Sequence, residues 1–165
     1  MASSRHGINL TTKSRFNIVM ANTILNALQN GITLQSGSTL TNQSERNIII
    51  GNHITSAGNE GIYLRDSDLN MIVGNTVRLS VHHGIRLRSS SHNSVNGNIL
   101  AENSQHATIA YQEIGLDDDF ATYGVYSTYN AVNGNIIKTV KANYGIDESS
   151  ANQNYNSITG NVVSG

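Results

Sequence analysis

Glu60, His83 and His106 stand at equal steps of 23 residues along the chain. The same step separates Tyr63 from Arg86, and Arg65 from Arg88 and Arg88 from Tyr111. An imidazole takes up and releases protons near neutral pH, and a guanidinium grips a carboxylate in a two-pronged fork. A phenol ring offers a flat face to a sugar. If the chain stacks these positions, Glu60, His83 and His106 form a candidate acid–base set. Tyr63, Arg65, Arg86, Arg88 and Tyr111 then form a candidate surface for an acidic glycan. The plain alternative for each residue is a solvated polar side chain on a soluble protein. What decides between them is whether an element of that period exists.

Such an element is written six times. The octets NIVMANTI from Asn17, NIIIGNHI from Asn47, NMIVGNTV from Asn70, NSVNGNIL from Asn93, NAVNGNII from Asn130 and NSITGNVV from Asn156 share one pattern. Each octet is paired with a quartet: GINL from Gly7, GITL from Gly31, GIYL from Gly61, GIRL from Gly84 and GIDE from Gly145. The step from octet to quartet is 14 residues for Asn17 to Gly31, Asn47 to Gly61 and Asn70 to Gly84. The same step from Asn93 places the fifth quartet at Ala107, in ATIA, with His106 before it. The arm from quartet to the next octet varies widely, and its insertions collect on one side, where repeat proteins often bind.

Apolar residues alternate within both elements, as in Val19, Ile49, Ile72, Val95, Val132 and Ile158. Short alternating runs of Ile and Val read as strands. Asn, Gly, Ser and Thr between them are poor helix formers. Strands that pair with their copies one period later, in parallel, build a solenoid with a dry interior. The spacing therefore predicts an all-β fold of about six coils with three short strands each. The repeated asparagines, Asn22, Asn52, Asn75, Asn98, Asn135 and Asn161 in the second column, fall at bends. There they form a ladder of stacked amides, with the neighbouring glycine expected to relieve backbone crowding.

Composition narrows the remainder. The 165 residues include no cysteine and no proline, and net charge is −1. This excludes a disulfide framework and a thiolate metal site, and it offers no basic footprint for nucleic acid. No apolar run is long enough to span a bilayer, and no signal-peptide pattern opens the chain. Residues 1–165 read as one domain, or as a segment of a longer solenoid.

The paired octets and quartets from Gly7 to Val163 closely resemble the right-handed parallel β-helix repeat of the pectate-lyase superfamily. Polysaccharide lyases and epimerases, phage tailspikes and NosD-like surface or periplasmic proteins share that repeat. The resemblance implies the handedness, which spacing does not show. It also implies a polysaccharide partner and an extracellular, cell-surface or virion-associated setting. The leading expectation is a polysaccharide-binding module. A uronate lyase or C5-epimerase and a purely structural unit are the alternatives. The stretch YGIDES from Tyr144 is similar to the YGFDPH motif of mannuronan C5-epimerases at Tyr144 and Asp147. Ser149 replaces its histidine, so the motif's role is not carried over.

Three further expectations concern ligands and assembly. Asp117, Asp118 and Asp119 offer carboxylates to calcium without a recognised loop spacing, so calcium is an optional ligand and no cofactor is required. Outward octet positions are apolar in coils one to three (Ile18, Met20, Ile48, Ile50, Met71 and Val73) and polar afterwards. A contiguous apolar patch marks a contact, expected to be a homotrimer. Open ends without capping helices leave strand edges for a partner or an adjoining solenoid segment.

Overall fold

The computed structural model describes residues 5–36, 43–118, 126–141, 144–150 and 152–165. All regular structure in them is strand, arranged as three parallel six-stranded sheets. Strands are numbered in chain order. Sheet A stacks the quartet strands: β1 (Ile8–Thr11), β4 (Ile32–Gln35), β7 (Ile62–Arg65), β10 (Ile85–Arg88), β13 (Ile114–Asp117) and β16 (Ile146–Glu148). Sheet B stacks β2 (Ile18–Met20), β5 (Ile48–Ile50), β8 (Met71–Val73), β11 (Ser94–Asn96), β14 (Ala131–Asn133) and β17 (Ser157–Thr159). Sheet C stacks β3 (Thr23–Leu25), β6 (His53–Thr55), β9 (Thr76–Arg78), β12 (Ile99–Ala101), β15 (Ile136–Lys138) and β18 (Val162–Ser164). Each rung visits A, B and C in turn, so the chain is a β-solenoid.

Side-chain alternation sends one residue of each three-residue strand inward. Ile49, Ile72, Val95 and Val132 of sheet B are fully buried, as are Ile54, Val77, Leu100 and Ile137 of sheet C. Sheet A contributes two apolar residues per rung, such as Ile62 with Leu64 and Ile85 with Leu87. Fully burying one such side chain is worth about 1.5–3 kcal/mol, so the stacked columns carry the fold.

The bends hold the amide ladder. Asn75 Nδ2 and backbone N both donate to Asn98 Oδ1, at 3.0 and 2.9 Å, and Asn98 repeats this toward Asn135. Asn75 Nδ2 also reaches the Ile49 carbonyl at 3.0 Å. The first asparagine of each octet forms a second ladder, as when Asn47 donates to Asn70 and Asn70 to Asn93. The glycine before the second asparagine does not relieve crowding. A Cβ at Gly51, Gly74, Gly97 or Gly134 would meet nothing within 4 Å. These residues have φ near +60°, which glycine adopts without strain, and Ala21 holds the same conformation at φ 55°. Crowding governs the quartet glycines instead: a Cβ at Gly31 would lie 2.6 Å from the Gly61 carbonyl oxygen.

One register expectation is overturned. The fifth strand of sheet A is β13, not a strand at Ala107: Ile85 pairs with Ile114 and Leu87 with Leu116. Sheet A needs apolar residues at both inward positions of each rung. In ATIA those would be Thr108 and Ala110, whereas Ile114 and Leu116 fill them completely. Residues 104–112 are therefore an insertion, and Ile109 is half exposed on it.

Candidate functional site

The outward face of sheet A carries the expected side chains, with a changed order. Tyr63 lies beside Arg86 and Arg65 beside Arg88 on paired strands, as the 23-residue step requires. On the next strand Gly115 faces Arg86 and Asp117 faces Arg88. Two positions before the strand, Gln112 continues the column of Glu60 and His83, and His83 Nε2 lies 2.9 Å from Gln112 Oε1. His106 and Tyr111 are thus not members of the columns assigned to them. They reach the site from the insertion.

Arg86 is the hub. Its Nε donates to Asp117 Oδ2 at 2.9 Å and its Nη2 to the same oxygen, while Nη1 donates to Glu60 Oε1 at 3.0 Å. The guanidinium carbon sits 5.8 Å from the centre of the Tyr63 ring, within cation–π range. His82 Nδ1 and His83 Nδ1 approach Glu60 Oε1 to 3.6 and 3.8 Å. Burial alone would push the Glu60 carboxyl up, but the two imidazoles and Arg86 outweigh it and hold the carboxyl well below its usual range. Burial pulls the Arg86 guanidinium down, and Asp117 and Glu60 more than reverse it. Burial raises the Tyr63 phenol.

The aromatic part of the site gathers on Tyr111. Its ring centre lies 4.4 Å from that of His82, 5.1 Å from His83 and 5.9 Å from His106. Four candidate residues, Glu60, His83, His106 and Tyr111, therefore converge, joined by His82, which the column pattern had not selected. Two buried polar atoms at the site have no hydrogen-bond partner: His83 Nδ1 and Asp117 Oδ1. A cavity of about 600 Å³ lies elsewhere, at the exposed interior cross-section of the last coil, lined by Gly145, Ile146, Ile158 and Val163, away from this chemistry.

The comparisons with known proteins agree on the scaffold. The A-modules of the Azotobacter vinelandii mannuronan C-5 epimerases AlgE4 and AlgE6 superpose with TM-scores of 0.87 and 0.88, at 21% and 24% identity. They cover 97% and 98% of this chain and 44% of their own. The periplasmic alginate epimerase AlgG superposes over 97% of this chain and 36% of its own, with TM-score 0.75 and 19% identity. The Dettilon tailspike protein covers 89% of this chain and 30% of its own, with TM-score 0.68 and 20% identity. All are right-handed parallel β-helices, and so is this chain. The chain spans less than half the length of these structures. No curated protein matches the sequence. A family profile described as periplasmic copper-binding protein (NosD) matches residues 1–122.

The chain belongs to the NosD family.

That description raises the question of copper, which imidazole, thiolate and thioether ligands suit. The sequence has no cysteine. Met20 and Met71 are exposed on sheet B, apart from the histidines on sheet A. Among the described residues no three His, Asp or Glu side chains converge on a point a metal could occupy. The Arg86 cation already sits on Glu60. The described residues of this NosD-family chain do not fit a copper centre, and no chemistry is routed through one.

Among the described residues the aspartate run brings no three acidic or histidine side chains together. Asp117 is tied to Arg86, Asp118 offers its backbone carbonyl to Arg88 Nε at 3.4 Å, and Asp119 lies outside the described residues. Tyr144 and Asp147 lie on the last rung, where Asp147 pairs with Gly115. The site residue missed altogether is Glu113. It is fully buried in the glycine column, with its carboxyl pushed up to about 7 by burial, against the opposing effect of hydrogen bonds from Asn103. The only sign in the sequence was a break in the glycine column.

Proposed function

We propose that this protein binds an acidic polysaccharide lengthwise along the outward face of sheet A. One observation supports the reading above the others: on the outward face Arg86 joins Glu60, which His82 and His83 also approach, and the Tyr111 ring packs on both imidazoles. Tyr111 supplies ring surface next to them, whereas the Tyr63 ring is buried with Arg86 over it. Rungs repeat every ~4.8 Å, so one glycan touches several coils. Because Arg86 is engaged by Glu60 and Asp117, a glycan carboxylate reaches it by displacing Asp117. The solved neighbours, epimerases of mannuronan and alginate, favour a uronate polymer.

The test is an array of uronate and neutral glycans, with Arg86→Ala/Arg88→Ala as the paired variant. The double variant should lose about 1.5–3 kcal/mol of affinity per charged bond removed, with the fold intact. Equal binding by parent and variant would move the site elsewhere.

A second reading, uronate modification, is favoured by the convergence of His82, His83 and Glu60 with Tyr111 and His106. In it an imidazole removes the C5 proton of a bound uronate. Return of a proton from the opposite side gives the epimer, whereas loss of the O4 substituent gives an unsaturated sugar. Product analysis of array hits separates the two, because only the lyase creates new ultraviolet absorbance.

The reading extends to place and assembly. The word periplasmic in the family description and in the AlgG name favours a location outside the cytoplasm, which cell fractionation checks. Ile18, Met20 and Met71 are exposed on the first three rungs of sheet B, where we place a contact between copies, expected to be trimeric. A strictly monomeric species in concentrated light scattering would remove it.

A further inference from the structure

We infer that Glu113 is a positioning residue: from inside the solenoid it pins the inserted segment 104–112, which carries His106 and Tyr111 onto the outward face. The inference rests on the glycan-face reading, since those two side chains matter only if that face binds.

Five of the six rungs keep a glycine at this point of the quartet, Gly7, Gly31, Gly61, Gly84 and Gly145, where a Cβ would strike neighbouring atoms. Glu113 alone brings a side chain there, and turns it inward to full burial. The reason lies in a short polar ladder on the last bend before sheet A. Ser80 backbone N donates to Asn103 Oδ1 at 2.9 Å. Asn103 then needs acceptors on the following rung. By the register of β12 with β15 the residue there is Val140, whose side chain accepts no hydrogen bond. Glu113 supplies both acceptors: Oε1 takes the Asn103 backbone N–H at 3.0 Å and Oε2 takes Asn103 Nδ2 at 2.6 Å. The carboxyl thus occupies the place that an asparagine amide holds in the other ladders.

These two bonds close the insertion at its base. The segment is then fixed at three further points. Ser104, Gln105 and His106 donate their backbone N–H groups to His82, Ser80 and Val81 carbonyls at 2.7, 3.0 and 2.9 Å. Ser104 Oγ accepts from Tyr111 N at 2.7 Å. His106 Nδ1 accepts from Thr108 N and Ile109 N at 3.3 and 3.1 Å. Gln112, next to Glu113, holds His83. Interior anchor, loop and site therefore form one connected structure, and removing the anchor frees Tyr111 and Gln112 from the histidines.

Glu113→Ala, Glu113→Gln and Ser104→Ala are compared with the parent in two measurements. The first is amide hydrogen exchange at Ser104, His106 and Tyr111 against Asn75 and Asn98. The second is affinity for a uronate oligosaccharide taken from the array. Glu113→Ala should speed exchange in the segment while the Asn75 and Asn98 amides keep their protection. It should also weaken binding about tenfold, the effect of losing one charge-assisted hydrogen bond's worth of order. Glu113→Gln, which keeps one acceptor, should recover part of both. Ser104→Ala, which leaves the interior carboxyl in place, should give a smaller loss and serves if Glu113→Ala does not fold. Unchanged segment exchange in every variant overturns the inference. So does binding that falls with His106→Ala/Tyr111→Phe but not with the Glu113 or Ser104 variants. If the parent binds no uronate oligomer, the glycan reading falls, and exchange alone decides whether Glu113 positions the segment.

Discussion

Two polar systems of this molecule are built on opposite plans. The amide ladder at the bends uses one residue type on every rung, and in its second column each Asn Nδ2 of the middle coils finds an acceptor above and another on a neighbouring strand. The cluster on the outward face of sheet A uses a different residue on each rung. It concentrates charge and leaves His83 Nδ1 and Asp117 Oδ1 without a hydrogen-bond partner. Repetition satisfies every group because each rung offers its neighbour the same partner. Variety leaves groups over, and the recognition proposed above lies where the repetition stops. Stability resides in the repeated columns.

The strongest way to break this contrast is from inside. Ile72→Asp puts a charge among fully buried columns and should cost more than about 4 kcal/mol in urea unfolding. Near-parental stability would refute the register. Next comes the ladder. Asn75→Ala removes the acceptor for both Asn52 donors and should cost about 2–4 kcal/mol, since two buried N–H groups lose their partner. A cost below that of an ordinary surface substitution would show that the ladder is ornament.

Glu113 sharpens the contrast through pH. Its folded pKa is raised above its unfolded value, so the folded state holds the proton more tightly. Its penalty is absent below about pH 4.5, grows as pH rises to about 7, and is then complete at roughly 3 kcal/mol. Glu60, whose pKa is depressed, acts the other way, and its contribution is lost as the solution becomes acid. Thermal melts from pH 4.5 to 8 should show stability falling by part of that amount, and Glu113→Gln should flatten the slope. A parent slope unchanged by this substitution would rule out Glu113 as its source.

The smallest effect belongs to the outside of sheet B. Met20→Ser changes an exposed side chain and should alter stability by less than about 0.5 kcal/mol. Its readout is mass in light scattering, which should fall if copies meet there.

Much of this was legible in the chain. The octets and quartets specified strands, inward columns, ladders and period, because identical residues at a fixed step can only be satisfied by stacking on their copies. The pairing of Tyr63 with Arg86 and Arg65 with Arg88 followed from the same step. Residue types alone did not reveal where the fifth quartet lay: ATIA kept the spacing, but Ile114 and Leu116 filled the core better, and burial outranks spacing. Nor could they show that Arg86 is held by Glu60 and Asp117, that His82 joins His83, or that Glu113 turns inward to complete a ladder. Those are contacts between different rungs through non-repeating side chains. Periodicity specifies what recurs, and only the packed coil decides what happens where a residue occurs once.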